Sequence, residues 1–161
     1  MRWIWSKVIR LCLLLVAMLA ISPSPAIAKS GKPQILFVCQ AGTVKSAIAR
    51  ELLINRAAAR GIAVHVWSRG ITPEDHLSPA LADRLRADRI DPRRQPVRLL
   101  AKGDIKAADM VIAFDKLPSA YATSKLVSWE DVPSMNSSYD AARRVLDSRI
   151  EALLDRIQAK R

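Results

Sequence analysis

The sequence predicts an α/β fold of three layers, in which a four-stranded parallel β-sheet is flanked by helices on both faces. Its 161 residues suit one domain, and a composition of 50% hydrophobic and 25% charged residues is typical of a globular protein. Short, unbroken apolar runs, typical of strands buried on both faces, alternate with amphipathic stretches of helical period. Repeated alternation of this kind is the pattern of a parallel sheet covered by helices.

The first 28 residues have the layout of a secretory signal peptide. Three basic residues precede an unbroken apolar run from Leu11 to Ile21, and the small residues Ala26 and Ala28 then frame a cleavage site. The alternative is a membrane anchor, but the run has eleven residues, whereas a membrane span needs about 20. We therefore expect residues 1–28 to be removed and residues 29–161 to form the domain, which would be periplasmic or secreted. Membrane contact is expected only through the signal peptide before cleavage.

The first predicted strand and helix follow directly. Residues 34–39 form a short apolar run that predicts a strand buried on both faces. Residues 46–60 have a helical period, with Ile48, Leu52 and Leu53 on the inward face and with Arg50 and Glu51 pointing elsewhere. Gly61 then ends the helix.

The remaining elements alternate in the same way. Ser78 and Pro79 are typical of a helix start, with Leu81 and Leu85 facing inward. In the long last helix the predicted inward residues are Ala142, Val145, Ile150, Leu153, Leu154 and Ile157. The predicted bounds are strand 63–68, the helix from 79, helix 102–107, strand 110–114, a weaker strand 125–129 and helix 139–159.

The residues that could carry catalysis or ligand binding lie at the end of the first strand. Cys39 is followed by Gln40, Ala41, Gly42, Thr43, Val44, Lys45 and Ser46, and then by the first helix. Ligands bind outside the carboxyl ends of parallel strands, and the N–H groups at the start of a helix attract an anion. This position favours the thiolate form of a cysteine, Lys45 adds a positive charge, and Ser46 can donate a hydrogen bond to the sulfur.

Each of these residues also has a simpler interpretation. Cys39 can be a small core residue at the end of a buried strand, Gly42 a turn residue and Lys45 a solvated side chain. The run from Gly42 to Ser46 resembles part of a nucleotide-binding loop. That motif requires glycine directly before the lysine, where Val44 stands, so nucleotide binding is excluded.

The run from Ile35 to Cys39, with Lys45-Ser46 five residues further on, resembles the strand and Cys-x5-Arg-Ser loop of low-molecular-weight protein-tyrosine phosphatases and the related arsenate reductases. The resemblance continues in order through residues 66–70, 77–91, 104–115 and 129–133, and it covers about residues 34–157. It implies the fold of that family.

Three positions depart from the family pattern. The family's arginine is Lys45, its Gly-Asn pair is Ala41-Gly42, and its Asp-Pro acid loop is Ser134-Met135. A lysine is a point charge with rotatable donors, whereas the planar guanidinium of an arginine binds phosphate with two parallel hydrogen bonds. Gly42 can adopt the left-handed conformation that asparagine tolerates, so we expect the loop shape to survive.

The resemblance also implies a role for each residue. Cys39 attacks phosphorus, the N–H groups of residues 40–45 and the Lys45 ammonium bind the phosphate oxygens, and Ser46 supports the thiolate. Asp131, with Glu130 beside it, is the nearest acid that could protonate the leaving group. Asp115 is expected to be structural, Trp129 or Tyr139 to line the cleft or the core, and His65 and His76 to have no role.

Three functions compete on these grounds. The first is an exported phosphatase that acts on a phosphorylated protein, through phosphotyrosine, or on a small phosphoester. The second is a binding module that keeps the oxyanion loop and has lost efficient turnover. The third is an arsenate reductase, which would need an external thiol because Cys39 is the single cysteine of residues 29–161.

Composition excludes other classes of function. No aromatic residues lie among the lysines and arginines, so nucleic-acid binding is not expected. Two cysteines, Cys12 and Cys39, and two histidines are too few for a four-cysteine zinc site or a histidine-rich centre, so no metal or cofactor is expected.

The net charge of +11 falls to +8 without the three basic residues of the signal peptide. Because arginines and aspartates alternate between Asp83 and Asp91, this charge favours a solvated surface over attraction of anionic substrates or envelope surfaces.

Overall fold

The computed structural model describes residues 31–160, and the predicted signal peptide lies outside them. Four strands are present: β1 (Gln34–Cys39), β2 (His65–Gly70), β3 (Met110–Ala113) and β4 (Leu126–Ser128). Four helices accompany them: α1 (Lys45–Ala59), α2 (Pro79–Ala87), α3 (Lys102–Ala107) and α4 (Tyr139–Ala159). Two 3₁₀ turns, Pro92–Arg94 and Ser119–Tyr121, lie in the connections. Within the described range, no helix has both the length and the apolar character needed to cross a membrane.

The strands form one parallel sheet in the order β2-β1-β3-β4. β1 is central, and its register with β2 aligns Cys39 with Gly70 at the carboxyl edge. Connections between adjacent parallel strands need a crossover, which the helices provide. The end of β1 and the start of α1 therefore meet at the edge where ligands bind in this architecture.

Two apolar clusters cover the two faces of the sheet. The larger one joins β1 to α1, α2 and α4, and contains Ile35, Phe37, Ile48, Leu53 and Leu154, among others. The smaller one contains Leu36, Val38 and Trp67, with Leu100, Ala108 and Val111. Alternate residues of β1 thus enter opposite clusters, as the unbroken apolar run predicts.

The structure confirms the predicted fold class and corrects several details. Strand β2 spans residues 65–70 rather than 63–68, because its pairing begins where His65 meets Gln34 at the start of β1. In α4, Leu146 is fully buried although it was not predicted to face inward, whereas Val145, which was, is only partly buried.

Arg50 and Glu51, predicted to point away from the face of Ile48, Leu52 and Leu53, are not exposed to solvent. Both side chains are buried, at 1% exposure each, and Arg50 Nε lies 2.9 Å from Glu51 Oε1. Their charges compensate each other, which is what allows them to leave water. A periodicity argument that assigns charged residues to the surface misses such a pair.

Candidate active site

The sulfur of Cys39 is the centre of a group of polar contacts at the end of β1. Cys39 is 4% exposed. The Gly42 N–H donates to its Sγ at 3.2 Å, and Ser46 Oγ lies 3.0 Å from the same atom. Two groups thus converge on the sulfur from the loop and from the first turn of α1. Both stabilise negative charge on sulfur when Ser46 donates.

The Ser46 hydroxyl has two partners. Besides Cys39 Sγ, it contacts the Gly42 carbonyl oxygen at 3.3 Å, and the residue is completely buried. A hydroxyl has a single proton, so it donates either to the sulfur or to the carbonyl. When Cys39 is a thiolate, only the first arrangement gives the sulfur a second donor. Ser46 is thus placed where it could donate to the sulfur, and its supporting role stays a prediction.

The loop of residues 40–45 lies against the end of β2 at two glycines. Gly42 has a φ of +79°, and a Cβ placed on it would lie 2.8 Å from the Gly70 nitrogen. A Cβ on Gly70 would in turn lie 2.8 Å from the Ala41 carbonyl oxygen. Glycine at both positions allows the two backbones to approach this closely. Gly42 thus has the left-handed conformation that the sequence predicts.

Side-chain and backbone groups of neighbouring segments form hydrogen bonds with the outer part of the loop. The Gln40 N–H donates to Asp115 Oδ2 at 2.8 Å, and the Glu74 N–H donates to the Ala41 carbonyl at 3.0 Å. Thr43 Oγ1 donates to the Glu74 carbonyl. Asp115 therefore has the structural role that the sequence predicts. The importance of residue 74 was not visible in the sequence, because it contributes backbone atoms.

The loop keeps donors for an anion. Within residues 31–160, the N–H groups of Thr43, Val44 and Lys45 make no hydrogen bond to another residue. They precede α1, whose first-turn N–H groups also lack helical acceptors. Such N–H groups and the positive end of a helix dipole bind tetrahedral oxyanions. The arrangement can hold a phosphate beside the sulfur.

Lys45 connects this loop to the segment after β4. Its Nζ donates to the carbonyl oxygen of Val132 at 2.8 Å, and its side chain is partly buried. An ammonium group has three donors, so two remain for an anion in the loop. The contact with Val132 was not predicted from the sequence.

The structure places Asp131 on this same segment, but its carboxylate faces another element. Both of its oxygens accept hydrogen bonds from the guanidinium of Arg149 in α4, with an Nη1–Oδ1 distance of 2.9 Å. These hydrogen bonds hold the pKa of Asp131 below its usual value, although the carboxylate is 72% exposed. Its role as a general acid stays a prediction, and it requires release from Arg149.

The aromatic residues near the site belong to the core. Trp129 is 4% exposed and packs on Phe37 and Phe114, with ring centroids 5.8 Å away in both cases. Tyr139 is buried at the start of α4. Both belong to the larger apolar cluster, which agrees with the core alternative. Met135, which replaces a residue of the family's acid loop, is also buried, at 2% exposure.

The histidines and other possible metal ligands do not form a centre. His65 lies on β2, stacked 5.0 Å from the Trp67 ring, and His76 is exposed. No group of three or more His, Cys, Asp or Glu side chains that could hold a metal ion occurs between residues 31 and 160.

This fold and site define a class: cysteine-dependent phosphatases, in which a cysteine at a strand end faces backbone N–H groups at the start of a helix. The sequence model of the low molecular weight phosphotyrosine protein phosphatases matches residues 34–143. The chain therefore belongs to that family. No curated protein matches the chain.

Solved structures share the fold. YfkJ from Bacillus subtilis is 20% identical, with a TM-score of 0.67, over 83% of this chain and 99% of that one. The YwlE arginine phosphatase from Geobacillus stearothermophilus is 24% identical, with a TM-score of 0.64, over 80% of this chain and 95% of that one. The thioredoxin-dependent arsenate reductase Cg_ArsC1' from Corynebacterium glutamicum is 25% identical, with a TM-score of 0.63, over 83% of this chain and 65% of that one. The family and these neighbours support a phosphatase or arsenate reductase type of activity.

Proposed function

We propose that this protein is an exported phosphatase that hydrolyses phosphotyrosine or another phosphomonoester through a phosphocysteine on Cys39. The observation that carries the proposal is the convergence of the Gly42 N–H and Ser46 Oγ on the Cys39 sulfur, beside the donors of residues 43–45. Export is supported by the signal-peptide pattern of residues 1–28.

The proposed reaction has two steps. In the first, the Cys39 thiolate attacks phosphorus, the S–P bond forms, and the bond from phosphorus to the leaving oxygen breaks. The loop N–H groups and Lys45 bind the non-bridging oxygens, where they stabilise the transition state. Asp131 gives a proton to the leaving oxygen. In the second step water attacks phosphorus, the S–P bond breaks, inorganic phosphate leaves, and Asp131 accepts the proton of the water.

An arsenate reductase is the second candidate, and the likeness to Cg_ArsC1' favours it. There Cys39 would bind arsenate, and an external dithiol would supply the two electrons that reduce arsenic from +5 to +3 while forming a disulfide. Cys39 is the free cysteine of the described residues, so the chain itself offers no partner thiol there. Its predicted compartment also disfavours a supply of reduced thiols. We therefore rank this function below phosphatase activity.

The test is hydrolysis of an aryl phosphate by the purified protein, with Cys39→Ser as the matched control. The serine keeps the size of the buried side chain and removes the sulfur nucleophile. Turnover by the wild type, lost in the variant, together with a trapped phosphocysteine, supports the proposal. Tight binding of phosphate or vanadate without turnover would instead identify a binding module. Arsenate reduction that depends on added thioredoxin, without phosphatase activity, would identify the reductase.

A further inference from the structure

A groove of about 380 Å³ lies beside α2, and no residue of the loop 40–45, which we call the candidate phosphate loop, lines it. Its apolar floor includes Leu77, Leu85 and Ile90, of which the last two are buried. Three arginines, Arg86, Arg89 and Arg93, line it together with one carboxylate, Asp91. We refer to it as the arginine groove.

The three arginines of the groove outnumber its one acidic lining residue, Asp91, whose Oδ1 accepts the backbone N–H of Arg93 at 3.0 Å. Arg86 pairs with Asp83 at 2.7 Å and Arg93 with Asp75 at 3.1 Å, and all four side chains are more than half exposed. Exposed pairs of this kind contribute little free energy. A carboxylate that enters the groove can therefore replace the aspartates.

Arg89 has no partner for its guanidinium among the described residues. Its φ is +57°, and no other non-glycine residue between 31 and 160 has a positive φ. It follows α2, where its N–H donates to the Arg86 carbonyl at 3.1 Å. Glycine is the residue that this helix-end conformation favours. An arginine held in a disfavoured conformation points to a use for its side chain.

The groove is close to the candidate active site along the chain. Glu74 donates its N–H to the Ala41 carbonyl of the candidate phosphate loop, and Leu77 lines the groove. Three residues span at most about 10 Å of chain. The edge of the groove at Leu77 therefore lies within about 10 Å of the residue that contacts the loop.

We propose that the arginine groove binds an acidic peptide segment. The charge of its three arginines selects carboxylates, and its floor accepts an apolar side chain between them. The binding of an acidic segment does not depend on the proposed function. We further propose that this segment flanks the phosphorylated residue of a protein substrate, and this second part rests on the proposed function.

The test measures binding of a short fluorescent peptide of Glu, Asp and Leu, with a Gln, Asn and Leu peptide as its neutral match. We expect the full protein to bind the acidic peptide in a salt-dependent way and the neutral one at least about tenfold more weakly. Arg89→Gly should lower the affinity for the acidic peptide by about tenfold. Since glycine favours this backbone conformation, the variant should unfold at a higher urea concentration, which separates lost binding from lost folding.

The matched control is Arg156→Ala, which removes one exposed arginine of α4 outside the groove. Equal losses in Arg89→Gly and Arg156→Ala would overturn the proposal, because binding would then follow net charge alone. Binding to vesicles of anionic phospholipid without binding to the acidic peptide would overturn it as well. Phosphotyrosine versions of the two peptides then test substrate selection. We expect a higher kcat/KM for the acidic version than for the neutral one, and we expect Arg89→Gly to remove this difference. If neither version is turned over while the acidic peptide still binds, the proposed function fails and the groove stands.

Discussion

Lys45 is the residue that most distinguishes this candidate phosphate loop from the family pattern. Its ammonium already donates to the Val132 carbonyl at 2.8 Å, and it offers single donors where an arginine offers a planar fork. A further charge-assisted hydrogen bond to the transition state is worth about 1.5–3 kcal/mol, or about 10- to 100-fold in rate. We therefore expect Lys45→Arg to raise aryl phosphate turnover by that factor, and Lys45→Ala to abolish turnover and phosphate binding.

Initial rates and phosphate inhibition constants measure these effects. Lys106→Arg and Lys106→Ala on α3 are the matched controls, because Lys106 is exposed and lies outside the loop. If Lys45→Ala kept both turnover and oxyanion affinity, the loop would not be a phosphate site.

Asp131 is an acid whose present partner opposes its predicted role. The hydrogen bonds from Arg149 lower the pKa of Asp131, so the carboxylate holds a proton less readily than an ordinary aspartate, whereas a leaving group needs that proton. If Asp131 is the general acid, Asp131→Asn should slow the hydrolysis of alkyl phosphates by about 10²–10⁴-fold and spare activated aryl phosphates. The measurement is a series of leaving groups of rising pKa.

Arg149→Gln provides the comparison for this series. It removes the guanidinium, so the pKa of Asp131 should rise toward its usual value, and carboxylate titration by NMR measures that change. Equal rates for wild type and Asp131→Asn on poor leaving groups would place the acid elsewhere.

At the scale of elements, helix α1 is held to the sheet by a buried charge network. Besides Glu51, the Arg50 guanidinium binds Ser68 Oγ on β2 at 2.7 Å and the Pro92 carbonyl at 2.8 Å. Glu51 Oε2 has no hydrogen bond, and its nearest charged partner is Arg94 Nε at 3.5 Å. The network thus connects α1, β2 and the 3₁₀ turn, beside the loop that holds the sulfur.

Removing one charge of this network should destabilise the whole domain. Glu51→Leu leaves Arg50 buried without its main counter-charge, and we expect it to lower the free energy of unfolding by about 3–5 kcal/mol. Arg50→Met combined with Glu51→Leu should cost less than Glu51→Leu alone, since no bare charge remains. Urea denaturation measures both. A loss below about 1 kcal/mol for the single variant would mean that water or Arg94 compensates Arg50.

The start of α4 is connected to the end of α2 by a titratable hydrogen bond. Tyr139 OH donates to Asp88 Oδ2 at 2.5 Å, and burial followed by this bond raises the pKa of Tyr139 to about 12. An unfolded tyrosine has a pKa of about 10. The folded state therefore holds the proton more tightly, and this contribution to stability is complete below pH 10 and lost as the pH rises toward 12.

The Tyr139→Phe variant isolates that contribution. Its free energy of unfolding should be lower than that of the wild type at pH 9, and the difference should shrink between pH 10 and 12. Denaturation at several pH values measures it, and the phenolate absorbance lost in the variant gives the midpoint directly. A midpoint near 10 would show that Tyr139 is not held by Asp88.

At the scale of the whole molecule, the remaining prediction concerns export. The basic start, the apolar run and the Ala26-Ile27-Ala28 site predict that the mature protein begins at Lys29. N-terminal sequencing of the protein isolated from the cell envelope checks this. Ala28→Arg should block cleavage because the site requires small residues, whereas Ala28→Gly should permit it. An envelope form that begins at Met1 would contradict the prediction.

Much of the architecture could be predicted from the order of residues. Sequence patterns located the four strands and the starts of the four helices within about two residues, and the clearest of them is the unbroken apolar run of β1, which is buried on both faces. The position of Cys39 between a strand end and a helix start also followed from local order. The Arg50–Glu51 pair could not be predicted, since mutual compensation of two charges depends on which residues surround them.

Sequence patterns predicted the fold class, the place of the candidate phosphate loop and the position of its cysteine, because these depend on local order and on the direction of parallel strands. Which groups meet across long separations in the sequence is visible only in the folded chain. The fold sets Lys45 against Val132, Asp131 against Arg149, and Gly42 against Gly70. Such contacts depend on how loops return to the sheet edge, and close packing fixes those paths with atoms that no sequence period encodes.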